Sequence, residues 1–183
     1  MYLADLLIQL EATTTRAQQL ARDLSPEQWQ QRPPQGGWCV AECLMHLNIT
    51  SRAFLPRIQE AIRRGAEEKV AGPGPFRKDF AGWLLCKLLE PPYRMRVKTP
   101  PAFVPASIEP AQSVMKTWET LQGELMDCVR ESKGLGLDRL KIQSPFAEKM
   151  KYSLYSTYCV IPAHQRRHLW QAEQALQRLD GKK

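Results

Sequence analysis

Apolar residues recur at the spacing of an α-helix in four long stretches of the chain, and this pattern leaves few folds open. The stretches cover residues 2–24, 38–64, 111–133 and 153–179. In each one an apolar side chain returns at every third or fourth position, which is typical of a helix with one buried face. No period-two alternation of useful length predicts a β-strand. The sequence therefore predicts an all-α protein.

The segments between these helices contain many prolines and glycines, which end helices or favour loops. Pro91 and Pro92 end a predicted short helix at residues 80–90, and Gly65 is predicted to end the second long helix. Long loops are predicted at residues 32–37, 66–78 and 91–110. Four helices with such connections predict a four-helix bundle with long crossover connections and short extra helices. We expect one domain over residues 1–183.

The positive net charge of the chain is weak evidence for a nucleic-acid partner. The chain has 26 Lys and Arg against 19 Asp and Glu, a net charge of +7. Clustered basic residues would favour nucleic-acid binding, but here they are dispersed in short groups. We therefore expect a solvated basic surface and no nucleic-acid partner.

The five cysteines are an odd number without a C-x-x-C pair, which is typical of a reducing compartment. The first ten residues include an acidic residue and no basic one, unlike a signal peptide, and the longest apolar run is too short to span a membrane. These features predict a cytoplasmic protein with no membrane partner. Periodicity leaves open whether an apolar helix face belongs to the core or to a homodimer interface.

All three histidines of the chain fall within predicted long helices. His164 and His168 are four residues apart, so both imidazoles lie on one helix face about one turn apart. Together with His46 from the second long helix they suit one metal ion, and three imidazoles would leave coordination positions open for water or substrate. The spacing alone leaves the alternative that these are ordinary core residues. Gln165 stands where a zinc peptidase needs a glutamate base, which disfavours that mechanism.

Three segments contain the motifs of interest: residues 25–29 (SPEQW), 33–47 (PPQGGWCVAECLMHL) and 164–171 (HQRRHLWQ). These motifs resemble those of the DinB-like superfamily of four-helix-bundle proteins. The resemblance extends over nearly the whole chain and includes every histidine. It implies that His46, His164 and His168 bind a divalent metal ion, nickel or zinc, with water completing the coordination. Cys39 replaces the serine that is common in the family, and is either a small buried residue or a thiol close to the metal.

The family resemblance also implies a range of activities. Relatives use such a metal to activate a low-molecular-weight thiol, in mycothiol-dependent isomerases and in mycothiol or bacillithiol transferases. We therefore expect a metal-dependent hydrolase or thiol transferase that acts on a small molecule. The alternatives are a non-catalytic metal-binding stress-response bundle and, less favoured, a nucleic-acid-binding helical protein. A site open to solvent favours the enzyme, whereas a sealed site favours the non-catalytic bundle.

Two polar residues near the histidines are candidates for orienting them. Glu42 precedes His46 by one helical turn and either orients its imidazole or stabilises the helix N-terminus as an acid. Gln171 follows His168 by three residues and either orients it or is exposed to solvent. The sequence does not choose between these roles.

Four further residues near the histidines have expected roles. Arg166 and Arg167 either hold an anionic group of a substrate or point to solvent at the bundle edge. Trp38 is expected to pack at the start of the second long helix, and the alternative is a ring on which a substrate stacks. Pro162 is expected to kink the last helix near the histidines.

Overall fold

Six α-helices and one small hairpin form the structure, a computed structural model that describes residues 3–92, 98–147 and 149–179. The helices are α1 Leu3–Arg22, α2 Pro26–Gln30, α3 Val40–Glu67, α4 Phe80–Leu89, α5 Ala111–Glu131 and α6 Leu154–Leu179. A 3-10 turn covers Pro101–Phe103, and strands β1 (Lys141–Gln143) and β2 (Lys151–Ser153) pair antiparallel. The predicted all-α class is confirmed.

The helix boundaries agree with the sequence within about three residues, with one error. Gly65 does not end α3, which continues to Glu67. A Cβ at Gly65 would lie 2.7 Å from Leu140 Cδ1, so this glycine permits close packing of the loop after α5. The left-handed residue that follows the helix is Lys69, with φ 52°. The prediction is wrong because a glycine that favours close contact and one that ends a helix look the same in sequence.

The sequence analysis also missed the hairpin between α5 and α6. Ile142 and Tyr152 face each other across its two strands, and both are buried. Each strand has three residues, too few for an alternating pattern to be recognised. The predicted extended segment 91–110 is only partly described, because residues 93–97 lie outside the described ranges.

Two apolar clusters, one toward each end of the bundle, show how the long helices run. The lower cluster joins the beginnings of α1 and α6 to the later parts of α3 and α5, and includes Leu6, Leu10, Phe54, Ile58, Leu125, Leu154 and Tyr158. The upper cluster joins the end of α1, the beginnings of α3 and α5, and the later part of α6, and includes Ala17, Leu44, Leu47, Val114, Trp118 and Leu169. Helices α1 and α6 therefore run in one direction, and α3 and α5 run in the other.

This up-down-down-up order requires a long crossover. Helix α3 ends at the lower cluster and α5 begins at the upper one, so residues 68–110 must return along the length of the bundle. Both α1 and α3 pack against α5 and α6, and α4 of the crossover packs on the outside of α6. The predicted long connection thus follows from two consecutive parallel helices.

Asp79 attaches the crossover to the bundle. Its carboxylate accepts hydrogen bonds from the amides of Gly82 (3.0 Å) and Ser153 (2.6 Å), from the Ser156 hydroxyl (2.9 Å), and from Lys141 Nζ (2.7 Å). One side chain therefore caps α4 and also joins it to β1, β2 and α6. Burial alone would raise the pKa of Asp79, but these donors outweigh burial and lower it.

Replacing Asp79 with asparagine should lower the free energy of unfolding by about 1 kcal/mol at pH 7, because the Lys141 ion pair and one acceptor are lost. Folding lowers the pKa of Asp79, so its ionised form stabilises the protein above pH ~4 and this contribution disappears as the pH falls below that value. Urea titrations of both proteins from pH 3 to pH 7 measure the difference. A difference that is as large at pH 3 as at pH 7 would contradict the assignment.

Among the described residues, no helix is both long enough and apolar enough to cross a bilayer.

Candidate metal centre

His46, His164 and His168 meet between α3 and α6. One potential ligand atom from each imidazole lies within 4.8 Å of the others. The Nε2 atoms of His46 and His164 are 3.3 Å apart although the residues are 118 positions apart in sequence. Gln165 accepts a hydrogen bond from Thr13 of α1 at 2.7 Å, so adjacent faces of α6 present the histidines to α3 and the amide to α1. The structure thus brings together the three residues that the sequence singled out.

The crossover orients one of the three rings. His46 Nδ1 lies 2.8 Å from the carbonyl oxygen of Phe103, in the 3-10 turn. A carbonyl only accepts, so Nδ1 carries the proton and Nε2 keeps its lone pair toward the other two histidines. A backbone carbonyl on the far nitrogen is the usual way in which a metal-binding histidine is oriented.

Burial keeps the cluster uncharged at neutral pH. It lowers the pKa of His46 to about 4, against the weaker opposing effect of the Phe103 carbonyl. The pKa values of His164 and His168 also lie well below the usual range, because of burial and because the neighbouring histidines and Arg167 disfavour added positive charge. Neutral imidazole is the form that binds a metal ion.

One separation in the cluster matches the geometry of a bound divalent metal ion. An ion bound to two imidazole nitrogens at 2.0–2.1 Å in tetrahedral geometry holds those nitrogens about 3.3 Å apart. The His46–His164 separation is 3.3 Å. In addition, His168 Nδ1 is buried and has no hydrogen-bond partner within the described part of the chain. The donor set is therefore compatible with a metal, and imidazole alone does not choose between nickel and zinc.

Aromatic side chains surround the cluster. The Trp38 ring stacks on His168 at a centroid distance of 5.8 Å and lies 5.0 Å from His46. Phe146, from the loop between the two strands, lies 5.7 Å from His164 and 4.5 Å from Phe103. Trp38 thus packs at the start of α3, as expected, and also covers two of the imidazoles. His46 and His168 are only 2% and 7% exposed, whereas His164 is partly exposed.

Glu42 does not contact His46 in the way that orienting its imidazole would require. Its carboxylate accepts from the Cys39 amide at 3.0 Å, as the reciprocal half of a capping box, and forms a two-point ion pair with Arg32. Burial opposes its ionisation, but these donors lower its pKa. Glu42 therefore stabilises the N-terminus of α3, and the Phe103 carbonyl is the hydrogen-bond partner of His46 Nδ1.

Gln171, the second candidate for orienting a histidine, lies close to His168. Gln171 lies beside His168 and favours the protonated imidazole, in opposition to the larger effect of burial. By strict hydrogen-bond geometry, however, His168 Nδ1 has no partner among the described residues. Gln171 is thus near enough to contact this ring, but the contact is not a well-formed hydrogen bond.

The two arginines of α6 have different surroundings. Arg166 pairs with Glu90 and donates to Gln9 at 3.1 Å, so it joins the crossover and α1 to α6. Arg167 is 8% exposed and donates to the Leu88 carbonyl at 3.3 Å. The charge of Arg167 acts on His164 and His168, so of the two it is the one within electrostatic range of the cluster.

Two other expectations concern the helices that carry the site. Cys39 is fully buried, and burial raises the pKa of its thiol, in agreement with a small structural residue at the start of α3. Helix α6 is continuous through Pro162, and the kink expected there stays a prediction. Phe103, Phe146 and Arg32 were missed as neighbours of the site because they reach it from loops, and no local pattern marks such contacts.

Comparisons with known proteins were informative at the level of the family. Neither the curated proteins nor the solved structures contain a significant match. The sequence profile of the DinB superfamily matches residues 9–172, which include all three histidines, the whole of α3 and α5, and most of α1 and α6. The chain therefore belongs to the DinB superfamily.

Proposed function

We propose that this protein is a metal-dependent enzyme, either a hydrolase or a transferase of a low-molecular-weight thiol of the bacillithiol or mycothiol kind. The observation that carries the proposal is the convergence of three neutral imidazoles from α3 and α6 within 4.8 Å. When bound there, nickel or zinc would supply a positive charge that lowers the pKa of a water or a thiol. Membership of the DinB superfamily supports the same reading.

The protein's own groups would each have a defined part. The Phe103 carbonyl keeps the proton of His46 on Nδ1. Trp38 and Phe146 form an apolar surround that restricts water around the imidazoles. We expect a small substrate to approach from the side of His164, which is less buried than His46 and His168.

The alternative is a non-catalytic metal-binding bundle. The near-complete burial of His46 and His168 favours this alternative, because a closed site leaves little room for a substrate. The two functions differ in turnover and agree in metal binding.

An activity screen of the metal-loaded protein separates them. We expect turnover of electrophiles with small thiols, or of esters and amides with water, in the nickel- or zinc-loaded wild type, and its loss in His164→Ala. Equal turnover in wild type and variant would contradict the proposal. Metal binding without turnover across the screen would favour the non-catalytic bundle.

A further inference from the structure

Helix α4 carries an apolar face that the bundle does not cover. Its inner side packs toward α6, where Gly82 meets Ser156. On its outer side Phe80 is 75% exposed, and Trp83, Leu84 and Leu88 are 45%, 38% and 47% exposed. These four residues, the α4 outer face, follow helical spacing, and the exposed Lys87 lies on the same side of the helix. Large apolar side chains grouped in this way on a surface mark an interaction site.

Helix α4 and the two residues before its N-cap carry basic charges. Arg77 and Lys78 precede the helix and are exposed, and Lys87 lies within it with Nζ 5.2 Å from the Trp83 ring centroid. Helix α4 itself contains no acidic residue. The two flanking acids are engaged elsewhere, since Asp79 binds Ser153 and Ser156 while Glu90 pairs with Arg166.

This combination disfavours a second copy of the chain as the partner. A two-fold contact between two such faces would bring Lys78 and Lys87 of one copy near the same cations of the other, and like charges repel. The face also has four apolar residues, whereas a stable interface has about 20–30 residues a side. The α4 outer face instead requires a partner that is apolar in its interior and negative at its surface.

We propose that the α4 outer face docks the protein on an anionic lipid bilayer. An amphipathic helix lying in the interface plane inserts apolar side chains below the headgroups and keeps its cations at the phosphate level. Tryptophan prefers that level, and Lys87 beside Trp83 has the aliphatic length to reach the headgroups. Such binding is peripheral and needs no spanning helix, and it differs from the expectation that the protein has no membrane partner.

Co-sedimentation with vesicles tests the proposal. We expect wild-type protein to bind vesicles of phosphatidylcholine with 30% phosphatidylserine, to bind pure phosphatidylcholine at least tenfold more weakly, and to dissociate as salt is raised. Replacing Lys78 and Lys87 by glutamine should weaken binding by about 30-fold, because each cation near an anionic surface contributes roughly fivefold. Trp83→Ala with Leu88→Ala should weaken it at least tenfold.

Matched variants show whether the effect belongs to this face. The first control, Ile8→Ala, removes an apolar side chain of α1 that is 61% exposed. The second, Lys116→Gln with Lys133→Gln, removes one exposed cation in α5 and one just after its end. Neither should change binding more than twofold, and thermal melting checks that every variant is folded. The proposal is overturned if wild type does not sediment with anionic vesicles, or if the controls weaken binding as much as the α4 variants. It is also overturned if Trp83→Ala with Leu88→Ala converts a dimer to a monomer in sedimentation velocity without changing lipid binding.

Discussion

Replacing His164 with alanine should lower the affinity for Ni²⁺ or Zn²⁺ by at least about 100-fold, since even groups that only orient metal ligands are worth 10- to 100-fold. The variant removes one of three imidazoles and leaves His46 and His168 without the ligand that completes the cluster. Titration calorimetry on protein purified without a histidine tag measures the change. The wild type should bind one ion per chain.

A matched substitution on the same helix controls for indirect effects. Gln177 is exposed near the end of α6, and Gln177→Ala should bind metal as the wild type does. An affinity of His164→Ala within threefold of wild type would mean that the ion binds somewhere else. Thermal melting without metal shows that a loss of affinity does not come from unfolding.

The second large effect concerns Gly82, where α4 meets α6. An added Cβ would lie 2.2 Å from Ser156 Cβ and 2.3 Å from its Oγ. Ser156 cannot turn away freely, because its hydroxyl donates to Asp79 and accepts from Ser153. We expect Gly82→Ala to lower the free energy of unfolding by about 2–3 kcal/mol, since overpacking outweighs the helix propensity that alanine adds.

Gly123 provides the same substitution without the clash. It lies inside α5, and apart from its chain neighbours and the backbone of its own helix no described atom lies within 4 Å of the position that its Cβ would take. Gly123→Ala should therefore raise the free energy of unfolding by about 0.5–1 kcal/mol. Urea unfolding of both variants measures the pair. Stabilisation by both substitutions would contradict the close contact between α4 and α6.

Much of this fold is predictable from the sequence because it depends on local patterns. The apolar periodicity of the four long helices, and proline and glycine between them, locate α1, α3, α5 and α6 within a few residues. Ser25 and Gln28 have the spacing that predicts a capping box, and this capping box forms at the start of α2. The packing role of Gly65 was not predicted because it depends on Leu140, which is more than 70 positions away in sequence.

The candidate site also has a part that is predictable from local sequence patterns and a part that is not. The spacing of His164 and His168 places both on one face, and the family motifs connect them to His46. The surroundings depend on the crossover and the hairpin, which contribute the Phe103 carbonyl and the Phe146 ring. Neither residue has a signature, since a carbonyl is common to every residue and an aromatic ring in a loop has many roles. For Glu42 the sequence allows two roles, orienting His46 or stabilising the helix N-terminus. The ion pair with Arg32, which only the structure shows, favours the second role.

The central claim is that His46, His164 and His168 bind one divalent ion together. Crystals of the nickel- or zinc-loaded protein, measured at the absorption edge of the metal, test it most directly. The account predicts one anomalous peak between α3 and α6, about 2.0–2.2 Å from one nitrogen of each of the three imidazoles. A fully loaded protein whose anomalous peak lies away from these histidines would contradict it.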